Sequence, residues 1–71
     1  MTKEQLNEGI GQRIIELRKQ KSWSQSDLAR AVQKDRQAIE KLENGKVNPT
    51  LYSLFEVAES LEISLSKLLD F

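Results

Sequence analysis

Three features of this 71-residue sequence predict an all-α domain of five helices. Apolar residues recur at three- and four-residue intervals, the period of one helix face. A serine, threonine or aspartate stands just ahead of the later apolar patterns, where a helix N-cap belongs. One proline and three glycines leave little material for β-turns, and no run alternates as a strand does.

The elements follow in order. Leu6, Ile10, Ile14 and Leu17 are spaced as one face of a helix over about residues 3–21. In "SWSQSDLARAV", Ser24 and Asp27 make a capping box with Asp in the place of the usual Glu or Gln. Leu28, Ala29 and Val32 then mark a short helix over about residues 25–32. Asp35 is the next N-cap, Ile39 and Leu42 supply the apolar stripe, and Gly45 closes that helix. After the loop "KVNPT", Thr50 caps a helix carrying Leu51, Leu54, Phe55, Ala58 and Leu61. Ser64 caps a short last helix in "SLSKLLDF". The length predicts one domain, residues 1–71, with no room for a separate ligand-sensing domain. A domain this small is marginal unless its packing is regular or a partner chain supports it.

Composition removes several function classes. There is no cysteine and no histidine. Disulfides are excluded, and a zinc site would need carboxylates alone. The commonest general base and the best thiol nucleophile are missing, and no carboxylate pair stands out. The chain is therefore expected not to be an enzyme and to need no cofactor, metal or small-molecule ligand. Apolar residues never run beyond two in a row, and "MTKEQLNEGI" lacks the apolar centre of a signal peptide. A cytoplasmic protein without a membrane partner is expected.

The net charge is zero, but the charges are segregated. Residues 13–46 hold nine Lys/Arg against five acids. Residues 47–71 hold Lys67 against Glu56, Glu59, Glu62 and Asp70. A basic middle and an acidic tail point toward a nucleic-acid partner for the middle. Two short helices joined by a tight turn inside a helical bundle form a helix-turn-helix, here over about residues 25–44. On a helical wheel Ile39, Leu42 and Asp35 fall on one side; Gln37, Glu40, Lys41 and Asn44 fall on the other, with Arg36 between. Such a face suits the major groove, where Arg or Lys pairs with guanine O6/N7 and Gln with adenine N6/N7. Taken alone, it equally suits an ordinary solvated surface.

"SQSDLARAVQKDRQAIEKLENGK" followed by "NPTLYSLFEVAESLEISLSKLL" resembles the lambda-repressor/Cro-type (Xre-like) helix-turn-helix family. With the upstream "RIIELRKQK", the resemblance covers about residues 10–69. It implies a compact lambda-repressor-like fold and binding to double-stranded DNA. By position it implies base reading by Arg36, Gln37 and Lys41, and phosphate contacts by Gln25, Asn44 and Lys46. Arg13, Lys19 and Arg30 either add phosphate contacts or are solvated. Glu40 points an acid toward a polyanion. It either accepts from a cytosine N4 amine, or orients Arg36 or Lys41, or simply repels non-cognate sites. The resemblance also implies a partly buried salt bridge between Arg18 and Glu43, with a structural role.

Two positions depart from the family. Gln33 stands where a turn glycine is usual, followed by Lys34 at a usually apolar position. Glu62 replaces a second glycine. A left-handed backbone at either would cost about 1 kcal/mol. Ile15 falls off the main face, and Trp23 is expected in the core. Tyr52, Leu68, Leu69 and Phe71 exceed what one small core needs, so they either fold inward or form a two-fold dimer interface. The function implied is a sequence-specific transcriptional regulator acting as a homodimer on a palindromic operator. The alternative is an antitoxin or adaptor-type protein-interaction module on the same fold.

Overall fold

Each of the five helices begins on a side chain that caps it. The computed structural model describes residues 1–71 and contains α1 (Lys3–Gln20), α2 (Gln25–Ala31), α3 (Arg36–Glu43), α4 (Leu51–Ser60) and α5 (Leu65–Leu68), with no strands. Thr2, Ser24, Asp35, Thr50 and Ser64 each accept a hydrogen bond from the backbone N–H three residues on. That satisfies a donor the helix cannot satisfy itself. Thr2 with Gln5, and Ser24 with Asp27, complete reciprocal capping boxes. Asp27 lies below its ordinary carboxyl range because the Ser24 N–H, then the Ser24 hydroxyl and Arg30, favour its charged form.

The stops are as regular as the starts. Helices α1 to α4 all end in the paired bonds of a Schellman motif. The N–H groups of Trp23, Lys34, Lys46 and Ile63 donate to the carbonyls of Arg18, Ala29, Lys41 and Ala58, at 2.9–3.1 Å. The motif needs one left-handed residue per helix end. Gly45 supplies it once (φ 71°), while Ser22, Gln33 and Glu62 supply it with φ of 58–61°. The substitutions at 33 and 62 therefore leave the turns unchanged and carry the strain instead. Trp23 and Ile63, the residues after two of these turns, pack on the core. Lys34 holds the equivalent place after α2 and is exposed.

Eleven buried apolar side chains form one core. Helix α1 gives Ile10, Ile14 and Leu17; α2 gives Leu28 and Ala29; α3 gives Ile39; the α4 region gives Leu54, Val57, Ala58 and Leu61. Leu68 completes it. Of the four residues offered as a dimer interface, Leu68 takes the inward alternative and is fully buried, because the single turn of α5 needs one apolar anchor to dock at all. The wheel erred in the other direction at Leu6, Leu51 and Phe55, which are exposed. Leu6 lies near the free end of α1, beyond the reach of the core. Ile15 is half-buried. Phe71 folds its ring over Gly9, where a Cβ would overlap it.

Helix α1 closes on α3 at Gly11. A Cβ there would overlap the Glu43 carbonyl group, so the two helices can meet at this distance only through a glycine. This contact sets where the C-terminal half of α3 lies.

Candidate nucleic-acid interface

Helices α2 and α3 pack together and are joined by the turn at Gln33. Along α3, Ile39 and Glu43 point into the protein, and Arg36, Gln37, Glu40 and Lys41 are exposed. Asn44, the C-cap, is exposed too, and its N–H donates to the Glu40 carbonyl at 3.0 Å. Lys46 follows Gly45 at the start of an exposed loop. That loop is tied back to α1: Asn7 donates through its side-chain amide to the Asn48 side chain at 2.7 Å, and Gly45 packs on the backbone of Glu8.

The residues behind this face form one hydrogen-bonded chain. Arg18 donates from Nε and Nη2 to the two carboxylate oxygens of Glu43, at 2.7 and 3.0 Å. The Glu43 side chain is 1% exposed. Arg18 Nη1 donates to the Trp23 carbonyl at 2.8 Å, so every part of this buried pair has a partner. The bond to Glu43 raises the Arg18 pKa above its ordinary value despite burial, so the guanidinium keeps its charge. Gln25 joins the chain through Nε2, which donates to Glu43 Oε1 at 3.0 Å. Its Oε1 accepts from Arg36 Nη1 at 3.1 Å. The same Arg36 nitrogen lies 3.5 Å from Glu40 Oε2.

The structure thus brings Gln25, Arg36 and Glu40 into contact, with Gln37 and Lys41 beside them on α3. It takes Arg13 elsewhere. That guanidinium donates to the Lys67 carbonyl at the end of α5 and to Glu16, so it serves the fold. Arg30 pairs with Asp27 and stays exposed, as does Lys19. A cleft of about 350 Å³ opens between α3 and α4, floored by Val32, Ile39, Leu42 and Val57 and bordered by Gln37 and Lys41. Lys34 also lines it.

Sequence reasoning missed the Gln25 relay, the Gly11 seat and the Asn7–Asn48 tie. The glycine carried a signal, since glycine inside a strongly helical pattern marks a close approach. The amide contacts carried none, because nothing in the periodicity relates residues so distant in the chain.

Tyr52 (69% exposed) and Leu51 (67%) stand on the surface of α4 with Phe55, and the Tyr52 and Phe55 ring centroids are 6.2 Å apart. Leu69 and Phe71 are partly exposed as well. No helix is long and apolar enough to cross a membrane.

Known proteins share this arrangement. The helix-turn-helix family profile HTH_3 matches residues 14–68. The restriction-modification controller protein C.AhdI from Aeromonas hydrophila is 31% identical, superposes with a TM-score of 0.89, and is covered over 99% of its length by 96% of this chain. An HTH_3 family transcriptional regulator from Vibrio cholerae is 25% identical with a TM-score of 0.88; 94% of this chain matches 38% of it. Antitoxin HipB from Escherichia coli K12 is 36% identical over 50 residues, which are 70% of this chain and 57% of HipB. The chain therefore spans less than two thirds of the last two. The chain belongs to the HTH_3 helix-turn-helix family of DNA-binding transcriptional regulators.

Proposed function

We propose that the protein is a sequence-specific DNA-binding regulator that acts as a homodimer on a palindromic operator, in the cytoplasm. The observation that carries this is the exposed row of Arg36, Gln37, Glu40 and Lys41 on a helix whose inner side is fixed by a buried ion pair. Arg36, Gln37 and Lys41 supply the donors, and Gln37 an acceptor as well, that base edges in the major groove require. Gln25 uses one amide hydrogen on Glu43, which leaves the second for a phosphate; Asn44 and Lys46 flank the other end of α3. The exposed apolar residues Leu51, Tyr52, Phe55, Leu69 and Phe71 support self-association. A two-fold dimer would set two copies of α3 about 34 Å apart, one turn of DNA. Similarity to C.AhdI over 96% of this chain supports a role as a controller.

Selection of bound duplexes from a random pool, at about 0.15 M salt, tests this. An enriched palindrome with half-sites one turn apart is the expected result. The antitoxin or adaptor reading is favoured by the similarity to HipB and by zero net charge. It wins if no motif emerges and affinity is uniformly weak.

A further inference from the structure

Three asparagines stand in the chain, and only one is followed by glycine. Asn48 precedes Pro49, whose nitrogen carries no hydrogen. Asn7 lies inside α1, and its amide donates to Asn48 at 2.7 Å. Asn44 is the exposed C-cap of α3, and Gly45 follows it. Glycine has no side chain to shield its own backbone nitrogen, so that nitrogen can reach the amide carbon of Asn44. We propose that Asn44 is a spontaneous modification site, gated by the stop of α3, whose conversion to aspartate and isoaspartate ends its contact with phosphate. The loss of contact rests on the proposed DNA-binding function; the chemistry does not.

The reaction needs only water. The Gly45 N–H gives its proton to hydroxide, and the nitrogen attacks Cγ of Asn44. The Cγ–Nδ2 bond breaks, the amide leaves as ammonia, and a cyclic succinimide remains. Water then opens the ring at Cγ to give aspartate, or at the backbone carbonyl carbon of residue 44 to give isoaspartate. The folded stop of α3 opposes the first step. The Gly45 N–H is committed to the Leu42 carbonyl at 3.2 Å, and the Lys46 N–H to the Lys41 carbonyl at 2.9 Å. Ring closure requires the Asn44 ψ to turn far from its 3°, while Gly45, at φ 71°, is packed on the backbone of Glu8. The reaction therefore proceeds through the fraction of molecules in which the end of α3 has opened. Its products act in two ways. A negative charge at a helix C-terminus opposes the dipole, and it repels the phosphates that Asn44 would meet. Isoaspartate also lengthens the main chain by a methylene inside the turn, so the paired bonds of the stop cannot both re-form.

The test ages the full chain in mildly alkaline buffer, folded and in guanidinium chloride. Peptide mass spectrometry and an isoaspartate-specific methylation assay map the products. Conversion is expected at Asn44 and not at Asn7 or Asn48, and at least about tenfold faster in the unfolded chain than in the folded protein. Fresh and aged protein then bind the selected duplex. Fresh Asn44→Asp should bind about tenfold more weakly than fresh wild type, and aged wild type should lose binding in proportion to the fraction converted. Asn44→Gln, whose longer side chain closes the ring poorly, should bind after ageing as it does when fresh. An intact Asn44 after ageing in guanidinium overturns the site. Equal rates in the folded and unfolded chain overturn the gate. Converted protein that binds as tightly as fresh protein overturns the loss of contact. A fresh wild type that selects no duplex overturns the DNA-binding function and the loss of contact together, while the mass change at Asn44 still decides the chemistry.

Discussion

The junction of α1 with α3 and the outer surface of α4 are built on opposite principles. At the junction every polar atom is matched. Arg18 uses Nε, Nη1 and Nη2; Glu43 uses both oxygens; Gln25 uses both ends of its amide. Backbones approach so closely that only glycine fits at position 11. On α4, Leu51, Tyr52 and Phe55 are exposed to water. Within 71 residues one region is fully specified by the chain itself, and the other is left as surface. The lesson is that the fold spends its directional interactions on fixing α3, whose outer face is otherwise a short polar helix of modest intrinsic stability.

Substitutions can break that contrast, and the largest effect is expected at Glu43. Glu43→Ala leaves the Arg18 charge buried and unpaired, a loss of roughly 3–5 kcal/mol. At about 4–8 °C per kcal/mol for a domain this size, thermal unfolding should fall by at least ~12 °C. Lys41→Ala, on the exposed side of the same helix, should shift stability by no more than about 0.5 kcal/mol. Equal melting temperatures for the two variants would remove the distinction between inner and outer faces of α3. Gly11→Ala comes next. The added methyl must displace α1 from the Glu43 carbonyl, a loss of about 3 kcal/mol, read by chemical denaturation. A neutral outcome would mean that the helices slide freely, contrary to a fixed junction.

Much of this contrast was legible in the sequence. The caps at Ser24, Asp35, Thr50 and Ser64, and the stop at Gly45, follow from local chemistry that needs no knowledge of the fold. Depth of burial was less legible. A wheel gives the direction of an apolar stripe, not how far along the helix the core extends, so it does not show that Leu6 and Leu51 lie outside the core and Leu68 within it. The left-handed residues at Gln33 and Glu62 were legible as missing glycines, whereas Ser22 sat in a turn that no pattern marked. At the candidate interface, wheel geometry separated Arg36, Gln37, Glu40 and Lys41 from the core. It could not reveal that Arg36 is already held.

Gln33→Gly sharpens the comparison from the turn that joins α2 to α3. It should stabilise the domain by about 1 kcal/mol by relieving the positive φ, seen as a rise of some 4–8 °C in melting temperature. No gain would indicate that the Gln33 side chain compensates its own strain. Tyr52→Glu probes the uncovered surface. In dilute solution it should leave the melting temperature within about 4 °C of wild type, because an exposed position contributes little. It should also lower the apparent mass in sedimentation at high protein concentration if that surface self-associates. A collapse of thermal stability at low concentration would show that Tyr52 belongs to the core after all.

Acid provides the smallest and most diffuse probe. Asp27 is held below its ordinary value of 3.8 by bonds from Ser24, and Glu62 below 4.5 by the bond from Lys21, at 2.9 Å. Depressed folded-state values mean that the unfolded chain takes up the protons first. Both contributions are therefore complete above the ordinary carboxyl range and fade as pH falls through it. Urea titrations from pH 6 to pH 2 should show declining stability in wild type and a shallower decline in Asp27→Asn. An unchanged slope would assign the acid sensitivity elsewhere.

The bond between Asn7 and Asn48 has a consequence for the loop after α3. Two points of attachment, that amide pair and Gly45 on the backbone of Glu8, leave the stretch from 45 to 48 few conformations to explore. Whatever meets Lys46 meets a segment whose ordering was completed when the protein folded. The entropy that a free loop would surrender on binding has already been lost, as part of the cost of docking the first two turns of α1.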